Sequence, residues 1–197
     1  MTKFTEEKLE SAFVKLLGNE GYPHFLGNTI VRSSDDVLIE QDLLDYLLAK
    51  YKEHRLTITE AKSIIIQLKS LPSSDLYESN KAIMGWLSDR FLLKREDRTQ
   101  KDILIELIDY DGINDVLISD CNIYKFVNQL EITGSEKRIP DGILYINGLP
   151  LGVFEFKSAI REEATIHDAY KQLTIRYRRD IPELFKYVEK PEEVEKL

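Results

Sequence analysis

Residues 138–158 read Arg-Ile-Pro-Asp-Gly-Ile-Leu-Tyr-Ile-Asn-Gly-Leu-Pro-Leu-Gly-Val-Phe-Glu-Phe-Lys-Ser, and they constrain the fold more than any other stretch. Two apolar runs flank Asn147-Gly148, a dipeptide that favours a tight turn with both central residues at positive φ. The stretch is therefore a β-hairpin. Its open end carries Asp141 on one strand and Glu155 and Lys157 on the other. Charged groups in an otherwise apolar sheet are costly unless something pairs them.

A divalent cation held by Asp141 and Glu155, with the Lys157 ammonium beside it, meets that need and suits hydrolysis of a phosphodiester. Hard oxygen ligands select Mg²⁺ or Mn²⁺, with water and phosphate oxygens completing the shell. Glu155 and Lys157 are two apart on a strand and project from one face, while Phe154 and Phe156 face the other way. Whether Asp141 joins Glu155 depends on register. A plain two-residue turn pairs residue 146 with 149 and hence 141 with 154, which puts Asp141 on the wrong face. Shared metal binding requires an odd-numbered loop, or a bulge or bend near Asp141. Glu-x-Lys alone is common and has the simpler reading of a surface ion pair. The specificity comes from its combination with Pro140-Asp141 and the hairpin.

Composition narrows the field. The chain has 197 residues, 43% of them hydrophobic, which suits one globular domain rather than disorder. No apolar run approaches the roughly 20 residues that span a bilayer, and the N-terminus lacks a signal-peptide pattern. A single cysteine, Cys121, excludes an internal disulfide framework and fits a reducing compartment, the cytoplasm. The net charge of -8 weighs against a lone nucleic-acid-binding module, because neutralising phosphates takes Lys and Arg. It weighs less against a catalytic domain, whose site is itself acidic.

Periodicity predicts helices over 4–19, around Leu43–Tyr51, from the Thr57-Ile-Thr-Glu60 capping box, and from about Asp75. Residues 22–38 read as irregular or partly extended. Strands are expected over 103–108, 116–119 and 123–130, then the hairpin, then a helix capped by Thr165-Ile-His-Asp168 and carrying Tyr170, Leu173 and Tyr177. The order is helix, helical insert (about 36–95), antiparallel meander, helix, an α+β layout with helices around a central sheet. One domain is expected over 1–187, with a polar tail over 188–197.

The hairpin resembles the PD-(D/E)xK nuclease motif, and its wording resembles the N-terminal nuclease domain of the R (restriction and translocation) subunit of type I restriction enzymes. Similar wording extends to Leu9-Glu10, Leu38-Ile-Glu-Gln-Asp-Leu-Leu44, Leu76-Tyr-Glu-Ser-Asn80, Asn114-Asp115 and Tyr177-Arg-Arg-Asp-Ile-Pro-Glu-Leu-Phe185. The resemblance implies a restriction-endonuclease-like mixed central sheet flanked by helices. It also implies a metal-dependent endonuclease without sequence specificity of its own, with Asp141, Glu155 and Lys157 as the cleavage core. That superfamily often adds an acidic residue from the first helix to the metal site, here Glu10. A solvated helix charge is an equal reading of that residue.

Related nucleases carry Gln-x-x-x-Tyr on the helix after the hairpin, and this chain has Gln172-Leu-Thr-Ile-Arg176-Tyr177, one residue longer. On an α-helix Gln172 shares a face with Arg176, whereas Tyr177 points away and reads better as core. Gln172 thus joins the candidate site, and Arg176, Arg178 and Arg179 are candidate contacts to DNA phosphates. The resemblance further implies double-stranded DNA as substrate and methylase and specificity subunits as partners. ATP enters only through translocase domains whose motifs do not occur in these residues. Two rivals stand beside this reading: a stand-alone repair nuclease, and an inert docking module that uses the helical insert.

Overall fold

The computed structural model describes residues 5–114, 120–156 and 170–188. The strand expected over 116–119, the helix start expected over 165–168, Lys157 and the tail beyond Val188 lie outside the described residues.

Helix α1 (Glu6–Asn19) begins where the Thr5 side chain accepts from Lys8 N, with Glu6 and Glu7 in its first turn. A short strand β1 (His24–Leu26) follows, inside the segment read as irregular. Helices α2 (Glu40–Lys50), α3 (Ile58–Ser70) and α4 (Leu76–Ser88) form the expected helical insert. The expected capping box is present at α3. Thr57 Oγ1 accepts from Glu60 N at 3.1 Å, and Glu60 Oε2 accepts from Thr57 N at 3.0 Å.

The remaining elements are β2 (Phe91–Leu93), β3 (Ile103–Ile105), α5 (Tyr110–Asn114), β4 (Tyr124–Asn128), β5 (Ile132–Thr133), β6 (Lys137–Arg138), β7 (Gly142–Ile146) and β8 (Leu149–Phe154). After the hairpin comes a helical segment, with a π-helical stretch over Gln172–Tyr177 running into α6 (Arg178–Asp180).

The central sheet has the order β1-β4-β7-β8. It is mixed rather than a purely antiparallel meander, because β1 runs parallel to β4, with Phe25 opposite Val127. Three residues are too few to display an alternation, so β1 has no sequence signature. The run over 103–108 yields a shorter strand than its apolar length predicts. That strand leaves the central sheet and pairs with β2 as a separate ribbon.

Alternation along the strands gives the sheet two dissimilar faces. On one, Phe13 of α1 packs against Phe126, Phe154 and Phe156, with ring centroids 5.6, 4.8 and 5.3 Å away. The other carries Val127, Ile143 and Tyr145 into the main core, together with Leu43, Tyr46 and Leu47 of α2, Ile64 and Leu68 of α3, and Ile83 of α4. Each such side chain contributes roughly 1.5–3 kcal/mol by leaving water.

Two polar devices lock the helical insert. Arg95, buried, donates from Nε to Glu60 Oε1 at 2.7 Å and from its Nη atoms to the carbonyls of His54 and Arg55. At the other end, Lys186 is fully buried and donates to Leu71 O at 2.8 Å, beside the C-terminus of α3. Asn80 of α4 donates to the carbonyls of Lys186 and Val188, at 3.1 and 2.9 Å. The segment that follows α6 is thereby clasped to the insert.

Candidate active site

The hairpin turn is the expected tight one. Asn147 and Gly148 have φ of 52° and 74°, and Ile146 pairs with Leu149. Asn147 is fully buried and its side chain is saturated: Oδ1 accepts from Ile123 N, and Nδ2 donates to Leu107 O and Asn122 Oδ1. The turn is therefore held in the core rather than at a free tip.

Such a turn would leave Asp141 on the wrong face, but the register does not persist. Tyr145 pairs with Pro150, whereas Leu144 pairs with Gly152, so Leu151 is an extra residue in β8. Proline and glycine flank it, the residues that strands tolerate at bulges. Beyond the bulge Gly142 pairs with Phe154, and one further step sets Asp141 opposite Glu155. The requirement for a bulge is met, at mid-hairpin rather than beside Asp141.

Asp141 Oδ2 accepts from Phe156 N at 2.6 Å, which ties the start of one strand to the end of the other. Glu155 is gripped by the following helix: Gln172 Nε2 donates to Oε1 at 2.5 Å, and the Tyr177 hydroxyl donates to Oε2 at 3.0 Å. Gln172 Nε2 also donates to the Tyr177 oxygen at 2.9 Å, which closes a ring of hydrogen bonds.

An α-helix would not allow this. The π-helical stretch puts residues five apart in sequence on one face, so the extra residue between Gln172 and Tyr177 is absorbed by a wider turn. Tyr177 is buried, as expected of a core residue, yet its hydroxyl reaches the site. The expectation that it points away is corrected by the helix type. Burial pushes this hydroxyl's pKa well up. Gln172 opposes the shift, and the Glu155 and Asp141 charges add to it, so Tyr177 stays a neutral donor.

Asp180 staples the helix that carries Gln172 and Tyr177 to β6, three residues ahead of Asp141. Arg138 of β6 donates to Asp180 Oδ2 at 2.7 Å, and Ser135 N donates to Asp180 O at 2.9 Å. The Arg179 guanidinium, joined by Arg138 and opposed by burial, holds the Asp180 carboxyl down at about 2. Arg179 is thus committed to Asp180, whereas Arg176 and Arg178 are exposed on the same helical segment.

Glu10 is half-buried, and Asn128 Nδ2 donates to its Oε1 at 2.7 Å. Among the described residues, no group of three or more His, Cys, Asp or Glu side chains gathers where a metal would sit. The donor set nevertheless fits a hard divalent cation. Mg²⁺ is commonly held by one or two carboxylates, the rest of its shell being water and substrate phosphate.

The chain matches the model of the family described as Type I restriction enzyme R protein N terminus (HSDR_N) over residues 3–194. It belongs to that family. The "Type I restriction enzyme HindI endonuclease subunit" of Haemophilus influenzae is 36% identical over 116 residues, covering 57% of this chain and 10% of that protein. Two proteins of Methanocaldococcus jannaschii are also similar. The "Putative type I restriction enzyme MjaVIIIP endonuclease subunit" is 36% identical over 85 residues, 43% of this chain and 8% of that protein. The "Putative type I restriction enzyme MjaIXP endonuclease subunit" is 25% identical over 190 residues, 92% of this chain and 18% of that protein. The chain therefore spans less than a fifth of the length of each. No helix among the described residues is long and apolar enough to cross a membrane.

Proposed function

We propose that the chain is the metal-dependent endonuclease domain of a type I restriction enzyme R subunit, with a fold of the PD-(D/E)xK kind. It hydrolyses phosphodiesters of double-stranded DNA without sequence preference of its own. The observation that carries this reading is the mid-hairpin bulge, which aligns Asp141 with Glu155 where a plain hairpin would separate them.

Asp141 and Glu155 are the residues that would hold Mg²⁺ or Mn²⁺. When bound, the cation supplies Lewis-acid polarisation of the scissile phosphate and a nucleophile at neutral pH. The protein's own part is positional. Gln172 and Tyr177 fix the Glu155 carboxylate with neutral donors, which orient it without cancelling its charge. Phe156 N does the same for Asp141. Lys157, two residues beyond Glu155, steadies charge that develops on the phosphate. Arg176 and Arg178 meet the DNA backbone. Arg179, paired with Asp180 on the same exposed segment, is a third candidate for that role.

The family supports a larger setting. DNA translocation by ATP-driven domains of the full R subunit, working with methylase and specificity subunits in the cytoplasm, would deliver the DNA.

Two measurements test the reading. Mn²⁺ titration of this chain should show saturable binding that Asp141→Ala and Glu155→Ala both remove. Full-length R subunits carrying either change should translocate DNA with the other subunits but not cut it. Cutting that persists in both variants removes the assignment. So does Mn²⁺ binding that neither change affects.

A further inference from the structure

The two halves of the candidate site are joined by a contact outside it. Arg138, at the end of β6, is three residues ahead of Asp141. Asp180, the last residue of α6, is three residues beyond Tyr177. Between Arg138 and Asp141 the chain runs through Pro140, which is buried and has a fixed φ, so a shift at Arg138 passes on to the carboxylate. Between Tyr177 and Asp180 it is helical, and Ile181 N donates to Tyr177 O at 2.7 Å.

Asp180 is built in more firmly than a surface ion pair. Its side chain is 1% exposed and both oxygens are used: Oδ2 accepts from Arg138 Nε at 2.7 Å, and Oδ1 from Arg179 Nε at 2.6 Å. Its backbone oxygen accepts from Ser135 N at 2.9 Å. The β5–β6 turn comes this close only because residue 134 is glycine, since a Cβ there would lie 2.1 Å from Asp180 O. Arg179 belongs to the same helical segment as Asp180 and already supplies it with a counter-charge. Arg138 adds something else, a link between residues 42 apart in sequence. The halves so linked are within electrostatic reach of one another, because the charges of Glu155 and Asp141 both raise the pKa of the Tyr177 hydroxyl.

Resting on the metal reading above, we infer that Arg138 and Asp180 are a positioning pair, which sets the spacing between Asp141 and the two donors, Gln172 and Tyr177, that hold Glu155. Neither member touches the cation. The pair acts through the backbone, at one end on the strand that begins after Asp141 and at the other on the helical turn that carries Tyr177. Charge alone would give the opposite effect. A guanidinium near a cation site repels the cation, so its removal would by charge strengthen metal binding. Weaker binding without Arg138 therefore reports geometry.

The test is Mn²⁺ affinity, read from loss of the free-ion electron paramagnetic resonance signal, with Asp141→Ala as reference and the melting temperature measured alongside. Asp180→Asn would strand two guanidiniums and cost stability as well, so Arg138→Ala, which leaves Asp180 paired with Arg179, is the decisive variant. It should weaken binding about threefold to tenfold, within the range for groups coupled through a backbone shift. Lys137→Ala removes the neighbouring cation of β6, which pairs with Glu131, and should leave affinity at the wild-type level. Gln172→Ala with Tyr177→Phe abolishes the grip on Glu155, and in that background Arg138→Ala should cost little more. Unchanged or tighter binding in Arg138→Ala, whatever its melting temperature, overturns the inference and leaves the Asp141–Glu155 site standing. So does an equal loss in Lys137→Ala, or an equal loss from Arg138→Ala in both backgrounds. Mn²⁺ uptake that is absent from the wild type, or indifferent to Asp141→Ala, overturns the site and this inference with it.

Discussion

Glu60 and Glu155 are both carboxylates held at the edge of an apolar core, and the protein treats them in opposite ways. Glu60 is 2% exposed and bound to an equally buried guanidinium, Arg95, besides two backbone N–H groups. Burial pushes its pKa up, but Arg95, Thr57 N and Glu96 N outweigh that and hold it at about 2. Glu155 is half-buried, and the donors that grip its oxygens, Gln172 and Tyr177, are neutral. The first arrangement uses a negative charge to bind one part of the chain to another. The second fixes a carboxylate's direction through neutral hydrogen-bond donors. The insert uses a carboxylate for stability, and the hairpin end is where the proposed metal site lies.

The largest effect that would break this contrast is in Arg95→Ala. Removing one partner of a buried ion pair strands the other and typically costs about 3–5 kcal/mol. Urea unfolding should show a loss of that size, while Asp141→Asn should leave stability near wild type and remove Mn²⁺ binding. A reversed pattern would mean that the hairpin carboxylates, not the insert, hold the fold together.

Acid should separate the two ends next. Glu60 has its pKa depressed in the folded state, so its contribution is present above the ordinary value of 4.5 and is lost as pH falls towards about 2. Asp180, lowered from 3.8 to about 2, adds to the loss over the lower part of that window. Stability measured from pH 5 to pH 2 should therefore fall less steeply in Glu60→Gln than in the wild type, although the variant starts lower. Parallel slopes would show that the Glu60–Arg95 pair does not govern acid unfolding.

Tyr177→Phe comes third. It deletes a hydroxyl that links Gln172 to Glu155, and a hydrogen bond to a charged group is worth about 1.5–3 kcal/mol. That bond is made without a metal, so the melting temperature should fall, and Mn²⁺ affinity should fall as well because the Glu155 carboxylate loses its orientation. A lower melting temperature with unchanged affinity would return Tyr177 to the purely core role its sequence position predicts.

How far the sequence reached differs between these regions for physical reasons. Thr57 and Glu60 are three apart, and a capping box is a local pattern, so the start of α3 could be read directly. The second use of Glu60, as partner to Arg95, joins residues 35 apart in sequence and leaves no local trace. The hairpin turn was explicit in Asn147-Gly148. The bulge could be deduced as a need, but its place could not, although Pro150 and Gly152 mark it in retrospect. Strands β1 and β2 have three residues each, fewer than an alternation needs to show itself. The 2.9 Å hydrogen bond between His24 and Asn128 leaves no local trace either, because the parallel pairing of β1 with β4 makes it.

Tyr177 departs from its sequence reading for a more instructive reason. At α-helical spacing a residue five positions on lies away from the site. The extra residue relative to Gln-x-x-x-Tyr was the available signal, since an insertion inside a helix is commonly absorbed as a π turn. This gives the smallest predicted effect and the sharpest. Ile175 lies inside the π stretch and is 58% exposed, so little packing depends on it. Deleting it restores Gln-x-x-x-Tyr, lets the stretch close as an ordinary α turn, and should keep both side chains on Glu155. Mn²⁺ affinity should stay at the wild-type level, with circular dichroism unchanged or slightly more helical. If the deletion lowers affinity as much as Tyr177→Phe does, the wider turn supplies an alignment that an α-helix cannot, and the extra residue belongs to the site's design.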